Sequence, residues 1–185
     1  MKKWSELKQA TLDKLFLDEP EAQQQGYLAK FTYLANECLN MIANRVKPKI
    51  GVFTVTTTKE NDIVKMPEDF ISFTNMINYL NDEADPTIIY IGSKQLKLPK
   101  IGEYTIYYNS EWEKITQELI VSDADLDIDS SVLNCLPSYI ASQLLAQDDI
   151  QRSVMLKNEF ELLLSGLDTD IFYQENHFKS TGGWY

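Results

Sequence analysis

The spacing of apolar residues changes period twice along this chain, and this change constrains the fold most strongly. Up to about residue 46, apolar residues recur every three to four positions, as in amphipathic helices. Between residues 52 and 109 they alternate in short runs rich in β-branched residues, which predicts strands. Helical spacing returns from about residue 133 to residue 167. The sequence therefore predicts helices on both sides of an inserted sheet.

Two helices are predicted in the first region. The segment from Trp4 to Phe16 is amphipathic, and Phe16 is assigned to its apolar stripe. Asp18, with Glu21 three positions later, predicts a capping box at the start of the second helix. That helix is expected to run from about Glu21 to Val46.

The alternating region predicts a small antiparallel sheet or sandwich of five or six short strands. The strand at 52–58 is expected to pair with 63–66 across a turn at Asn61 and Asp62, and one helical turn is expected at Pro67. Three residues are predicted to share one face of the last strand: Tyr104, Ile106 and Tyr108.

The second helical region follows a segment that is predicted to be acidic and irregular, from Trp112 to Ser130. Pro137 is expected to start or kink the next helix, because proline is tolerated only in a first turn. Asp148, with Gln151 three positions later, predicts the N-terminal cap of the last helix.

The two helical regions must combine their apolar stripes into one core. The expected fold is α+β, mainly α: a four-helix bundle with an inserted small antiparallel β domain and an extended C-terminal arm. The common core is predicted to contain Phe31, Leu34, Ile140, Leu144, Phe160 and Leu163. The predicted parts are 1–48 (first helical pair), 49–122 (β domain and the start of the acidic loop), 123–167 (acidic connection and second helical pair) and 168–185 (arm).

Charge and cysteine usage exclude several classes of protein. Lys and Arg total 17 against 28 Asp and Glu, a net charge of −11, and affinity for nucleic acid comes largely from cationic contacts to phosphate. Such a chain is able to surround DNA without gripping it. Cys38 and Cys135 form no Cys-x-x-Cys pair, so they are predicted to be small core residues. There is no signal-peptide pattern and no apolar run of about 20 residues, so we expect folding in a cytoplasm and no membrane partner.

Few residues suggest catalysis. The single histidine, His177, lies in the polar C-terminal segment, and no glycine-rich phosphate loop occurs. No catalytic, cofactor-binding or metal-binding residue is therefore assigned, and no cofactor is expected.

Four alternate acids form the strongest chemical pattern: Asp123, Asp125, Asp127 and Asp129. As a calcium loop the segment departs from the pattern twice, with Ile128 at the glycine position and Asn134 at the bidentate glutamate position. An extended segment would place the four acids on one solvated face, with Ala124, Leu126 and Ile128 behind them. We favour this acidic face over a metal site.

Three stretches resemble one family of proteins. They are Met66-Pro67-Glu68-Asp69-Phe70, Glu103–Tyr108 with Ile115-Thr116, and Leu136–Leu145 with Asp148-Asp149 and Asn158–Glu161. Together they resemble the M-P-E-D-F turn, the Y-x-I-x-Y strand and the L-P-x-Y-I-A … N-E-F-E helix pair of tailed-phage head–tail connector proteins, also called tail adaptor or gatekeeper-ring proteins. The family often has proline after the tyrosine strand, where this chain has Trp112. The composition would suit a phage of low-GC gut bacteria, of the crAss-like kind.

The resemblance implies a structural virion protein rather than an enzyme. Such proteins form rings, usually twelve-fold, below the portal protein and contact other neck and tail proteins. They join capsid to tail and continue the channel for genome ejection, so DNA would pass without specific binding. The implied location is the neck or tail of the virion, after assembly in the host cytoplasm.

The arm, residues 168–185, is unusually aromatic for a segment without helical period. Five residues are expected to bind a partner, the portal or a neighbouring subunit: Phe172, Tyr173, Phe178, Trp184 and Tyr185. Two other functions remain open at this point. One is a metal-dependent hydrolase using Asp123 to Asp129, and the other is a helical protein-interaction module.

Overall fold

A computed structural model describes residues 2–79, 89–92 and 94–167. These residues form seven helices: α1 (Trp4–Leu15), α2 (Glu19–Gln24), α3 (Leu28–Arg45), α4 (Gln117–Ser122), α5 (Ser130–Leu133), α6 (Leu136–Leu145) and α7 (Ile150–Ser165). They also form six strands: β1 (Lys49–Thr57), β2 (Asp62–Lys65), β3 (Phe70–Tyr79), β4 (Ile89–Tyr90), β5 (Gln95–Leu98) and β6 (Gly102–Ser110). The predicted order of helices, strands and helices is confirmed.

The predicted second helix is divided in two, so its expected continuity was wrong. The Asp18 capping box is confirmed: the Asp18 carboxylate accepts a hydrogen bond from the Glu21 amide at 2.8 Å, and the Glu21 carboxylate accepts one from the Asp18 amide at 3.1 Å. The helix then ends before Gly26, whose φ of +70° belongs to the left-handed region. Glycine adopts this conformation without a Cβ clash, so it allows the chain to turn between α2 and α3.

The helix starts of the second half follow the predicted residue types but not every predicted position. Pro137 lies in the first turn of α6, as expected for a helix start. The cap of α7 is Asp149, whose carboxylate accepts a hydrogen bond from the Arg152 amide at 3.1 Å, so the prediction of Asp148 was wrong by one residue. Asp148 instead accepts a hydrogen bond from the Tyr27 hydroxyl at 2.6 Å.

The strands form two three-stranded antiparallel sheets, ordered β1-β6-β3 and β2-β5-β4. The predicted pairing of 52–58 with 63–66 was therefore wrong. β1 pairs with β6 from Lys49↔Ser110 to Thr57↔Gly102, while β2 pairs with β5. Alternation assigns side chains to faces but does not name the partner strand. β1 and β6 are both nine residues long, and they pair along their whole length.

The segment between β2 and β3 is a turn rather than the expected helical turn. The Phe70 amide donates a hydrogen bond to the Pro67 carbonyl at 3.3 Å, and Met66 and Phe70 are buried on either side of it. The irregular segment predicted from Trp112 to Ser130 was also wrong in part, because it contains α4. The Thr116 side chain caps α4 by accepting a hydrogen bond from the Leu119 amide.

Buried residues form two separate clusters. The larger cluster joins residues of both helical regions, and it includes Phe31, Leu34, Ile140, Leu144 and Phe160, with Leu163 partly buried against it. The predicted helical core is therefore confirmed. The smaller cluster lies in the sheets and contains Met66, Phe70, Leu96, Leu98, Tyr104, Ile106 and Tyr108. The predicted shared face of Tyr104, Ile106 and Tyr108 is confirmed.

The expected four-helix bundle was wrong; the protein is a mixed helix-and-sheet fold with two small antiparallel sheets. α6 packs against α1, α3 and α7, as the hub of the helical part. Eight of its ten residues are buried. A helix that is buried on nearly every side is surrounded by other elements, whereas a bundle helix buries one stripe.

Among residues 2–79, 89–92 and 94–167, no helix combines the length and the apolar character needed to cross a bilayer.

Truncation of the core aromatics tests the packing around α6. Phe31 and Phe160 are 1% and 2% exposed, so Phe31→Ala and Phe160→Ala should each lower the free energy of unfolding by about 3–5 kcal/mol, because each leaves a cavity. Tyr33→Ala, on α3 with an exposed ring, is the matched control and should cost far less. Denaturant titrations measure all three. Equal losses for Phe31→Ala and Tyr33→Ala would contradict this packing.

Candidate functional site

The acidic segment begins at Asp123, which is fixed to the N-terminal helix. Its carboxylate accepts hydrogen bonds from the Ser5 amide at 3.0 Å and the Ser5 hydroxyl at 2.8 Å. These bonds hold the pKa of Asp123 below its ordinary value. The backbone of Asp123 is left-handed, with φ of +47°, and Asp125 forms an isolated antiparallel bridge with Lys3. The segment is therefore attached to the start of α1.

Two later acids face lysines that lie just before and within β1. Asp127 forms an ion pair with Lys49 at 2.6 Å, which lowers the pKa of Asp127. Asp129 forms an ion pair with Lys47 at 2.8 Å and accepts hydrogen bonds from the Ser131 amide and hydroxyl, both at 2.7 Å. The Lys47 and Ser131 hydrogen bonds lower the pKa of Asp129 to about 2. These acids are ionised and partnered at neutral pH.

The predicted two faces of this segment are present in part. Leu126 and Ile128 are buried, as expected for the apolar back. Ala124 is exposed, so its assignment to that back was wrong, because the left-handed turn at Asp123 changes the direction of the chain. Within the described ranges, no three His, Cys, Asp or Glu side chains form a group suited to a metal ion.

Both cysteines are buried, in agreement with the core role predicted for them. Burial raises the pKa of Cys38, and it raises the pKa of Cys135 to about 11. The thiolate, which is the nucleophilic form, is therefore disfavoured at both positions.

A polar cleft of about 770 Å³ lies beside the acidic segment, lined by Lys49, Glu68, Asp69, Glu111, Trp112 and Asp127 among others. Of these lining residues, Asp69 contacts the buried Tyr108, whose hydroxyl lies 3.0 and 3.2 Å from the two Asp69 carboxylate oxygens. Burial and this hydrogen bond raise the pKa of Tyr108 to about 12. The hydroxyl is therefore protonated at neutral pH and donates its hydrogen bond to Asp69.

Gly51 on β1 completes the Tyr108 contact. A Cβ at position 51 would overlap the Tyr108 ring, so only glycine leaves room for the ring to lie across the strand. The sequence analysis missed this role, although a glycine inside a strand pattern signals such a close approach.

Residues of the three stretches quoted in the sequence analysis contact one another in the structure. Asp69 and Phe70, from the first stretch, contact Tyr108 of the second, with the Phe70 and Tyr108 ring centroids 5.8 Å apart. In the third stretch, the Tyr139 ring on α6 lies 5.2 Å from that of Phe160 on α7. Residues of these stretches therefore contact one another inside the fold.

A second surface feature is an apolar groove of about 520 Å³ between the end of α1 and the side of α7, lined by Asp13, Lys14, Phe16, Arg152, Met155, Leu156 and Glu159. Phe16 was predicted to lie on the apolar stripe of α1, and this was wrong. Its φ is +56° at the C-cap, and its ring is 81% exposed, because the left-handed turn directs it away from the core.

The predicted partner-binding residues Phe172, Tyr173, Phe178, Trp184 and Tyr185, and also His177, lie outside the described residues. Their assignment remains a prediction.

Comparison of the sequence with models of known protein families and with curated proteins finds no match.

The ion pair of Asp129 predicts a pH dependence of stability. The folded-state pKa of about 2 lies below the ordinary 3.8, so the carboxylate stabilises the fold above about pH 4 and loses this contribution as the pH falls towards 2. Asp129→Asn keeps a residue type that caps helices but removes the charge. Because the side chain is 38% exposed, we expect a loss at pH 7 of under about 1 kcal/mol.

Denaturant titrations of Asp129→Asn and the wild type between pH 7 and pH 2 measure this dependence. The difference in free energy of unfolding between the two proteins should disappear as the pH falls from about 4 to about 2. The exposed Asp125→Asn is the matched control and should follow the wild type throughout. A constant difference at all pH values would contradict the assigned ion pair.

Substitution of Gly51 tests the Tyr108 contact. Gly51→Ala should lower the free energy of unfolding by about 1–3 kcal/mol, because its methyl group overlaps the ring. Combining it with Tyr108→Ala should cost less than the two single losses added together. Gly166→Ala, whose Cβ would meet only ordinary contacts, should be close to neutral. Simple additivity of the Gly51 and Tyr108 losses would show that the two residues do not interact.

Proposed function

We propose that this protein is a structural virion component, a ring below the portal that joins a phage capsid to its tail and continues the DNA channel. The observation that carries the proposal is the Tyr108–Asp69 contact, at 3.0 Å, between two of the stretches that resemble connector proteins. The Tyr139–Phe160 contact supports it in the same way. Residues that are far apart in the sequence and share a resemblance to one family form the internal contacts of one fold.

The charge of the protein suits a channel wall. A net charge of −11 repels the DNA backbone, which favours passage of DNA over adhesion. The acids of the Asp123–Asp129 segment are oriented by Ser5, Lys47 and Lys49. In this proposal their role is to attach the segment to α1 and β1 and to add to the negative surface.

A closed ring requires two different complementary surfaces on each copy. Two features supply candidates in the described part of the chain. One is the apolar groove beside Phe16, and the other is β1, an edge strand in the order β1-β6-β3. An edge strand presents backbone groups to a further strand. We propose that the aromatic residues of 168–185 are also partner contacts, with the portal or a neighbouring subunit.

The hydrolase alternative gains no support from the acidic segment. A metal site needs several carboxylates that converge on one point. Asp123, Asp127 and Asp129 are each directed to a different partner in the fold, namely Ser5, Lys49 and Lys47.

The mass of the purified protein, alone and mixed with a portal protein from the same genome, tests this function. We expect a ring-sized complex with the portal. Replacing Asp125 and Asp127 by Asn should leave its formation largely intact, because the proposed role needs no catalytic carboxylate. This double substitution should also leave the melting temperature within a few degrees of the wild type, since both side chains are exposed. Absence of any complex with the portal, or a hydrolytic activity lost in this variant, would refute the proposal.

A further inference from the structure

The two sheets differ in how their edges are protected. An edge strand presents unpaired backbone groups, and natural sheets protect such edges by shortness, charge, proline or bulges. In the smaller sheet, β4 has only two residues, and β2 carries the charged residues Asp62 and Lys65. In the larger sheet, the pairing of β3 with β6 is interrupted by two register shifts. Each of these three edges is therefore protected in one of the usual ways.

The fourth edge strand, β1, has none of these protections. Its nine residues pair with β6 without a register shift, it contains no proline, and its one charged residue is Lys49 at the first position. The Lys49 ammonium is neutralised by the ion pair with Asp127 at 2.6 Å. In the part of the chain that the structure describes, no strand pairs with the other edge of β1. Within this part, the run 50–57 is an uncharged and unpaired edge.

The side chains of β1 are incompletely covered on both faces of the sheet. On the outer face, Ile50 and Val52 are 39% and 58% exposed. On the inner face, Phe53 and Val55 pack against the smaller buried cluster but are themselves only partly buried. A further strand beside β1 would extend this cluster and remove more apolar surface from water.

Charge favours a second copy of β1 as the further strand. Two copies of a chain with a net charge of −11 repel each other, so contact is least opposed where neither surface carries acids. Because the run 50–57 is uncharged, antiparallel pairing of this run with itself places no like charges opposite each other. A β3 strand from a second copy is also uncharged, but its register shifts interrupt the regular spacing that strand pairing needs.

The chain's own remaining segments are less suited to this edge by their sequences. The segment 80–88 contains Asp82, Glu83, Asp85 and Pro86, which are depleted in strands. In the segment 168–185 the longest uncharged run is 180–185, which is shorter than 50–57 and contains two glycines. Glycine weakens a strand because it has no side chain to pack.

We propose that β1 of one copy pairs antiparallel with β1 of a second copy about a two-fold axis, so that the two β1-β6-β3 sheets become one continuous sheet. The same surface is used on both copies, so the contact ends at two chains and leaves no unprotected β1 edge. A two-fold pair does not build a ring, so this inference goes beyond the proposed function and does not depend on it. If β1 serves in the ring, the pair must separate first.

Charged substitutions on the exposed face of β1 test this pairing. The lysine variant carries Val52→Lys and Thr54→Lys, and the glutamate variant carries Val52→Glu and Thr54→Glu. Both positions are exposed, so the fold should be retained, and circular dichroism verifies this. In a β1 pair centred on the strand, these positions of the two copies are neighbours, so each variant places like charges side by side. Ile63→Lys is the matched control, because Ile63 is 55% exposed but lies on β2.

Sedimentation equilibrium between about 1 and 100 μM measures the Kd of self-association. The wild type and the Ile63→Lys control should approach a two-chain mass, twice 21.3 kDa. Each charged variant alone should have a Kd at least about tenfold higher, and an equimolar mixture of the two should recover the wild-type Kd because opposite charges then face each other. The lysine variant also makes the net charge of −11 less negative, so overall repulsion cannot explain its weaker association.

Hydrogen exchange of the wild type provides a measurement without any substitution. Amides of 50–57 that point away from β6 should exchange more slowly at about 100 μM than at about 1 μM, because they gain hydrogen-bond partners in the pair. Amides of β2 should exchange equally at both concentrations. Equal exchange of the 50–57 amides at the two concentrations would contradict the pairing.

Three sedimentation results would overturn the proposal: a single-chain mass for the wild type throughout, a lysine variant that associates like the wild type, or a mixture that associates no more tightly than its components. The last result is the one expected if β1 is covered by another part of its own chain, by β3 of a second copy or by an unrelated protein. These measurements contain no portal protein. Failure to form a complex with the portal would therefore refute the proposed function and leave this pairing standing.

Discussion

Burial of α6 is the constraint on which the helical part depends. Eight of its ten residues are buried, and most of these are apolar, so the free energy of the fold falls when other helices surround it. α1, α3 and α7 each pack against it. Because α6 is only about 15 Å long, it cannot align with its longer neighbours over their whole length. The result is a hub with surrounding helices, and much of α7 is left with only one packed side.

In the larger sheet, β6 has the corresponding role. It lies between β1 and β3, so both of its edges are paired, and its buried face carries Tyr104, Ile106 and Tyr108. Tyr108 extends from this face across Gly51 to the Asp69 carboxylate. The Tyr108 side chain thereby connects three parts of the β region: the edge strand β1, the central strand β6 and the turn before β3.

The junction between helices and sheet is held by polar contacts rather than by a continuous core. The Trp112 indole donates a hydrogen bond to the Lys47 carbonyl at 2.8 Å, and Lys47 and Lys49 pair with Asp129 and Asp127. Exposed ion pairs of this kind contribute little free energy each, so their main effect is to fix position. The acidic segment is thereby oriented relative to α1 and β1.

The sequence by itself determined the order of the helical and strand regions, the apolar stripes of the main core and how several elements begin. Period, β-branching and local hydrogen bonding act within a few residues, so the Asp18 capping box, the start of α6 at Pro137 and the buried face of β6 were predictable. Only the tertiary structure decided which strands pair, because alternation is the same for any partner. It also decided that α6 is central, since this depends on its packing against the distant helices α1 and α3 as well as α7. Phe16 faces solvent because the helix ends there in a left-handed turn, which the apolar spacing did not reveal. The acids of the Asp123–Asp129 segment are a further example. Their alternation is visible in the sequence, but their partners Ser5, Lys47 and Lys49 come from distant parts of the chain that only folding brings together.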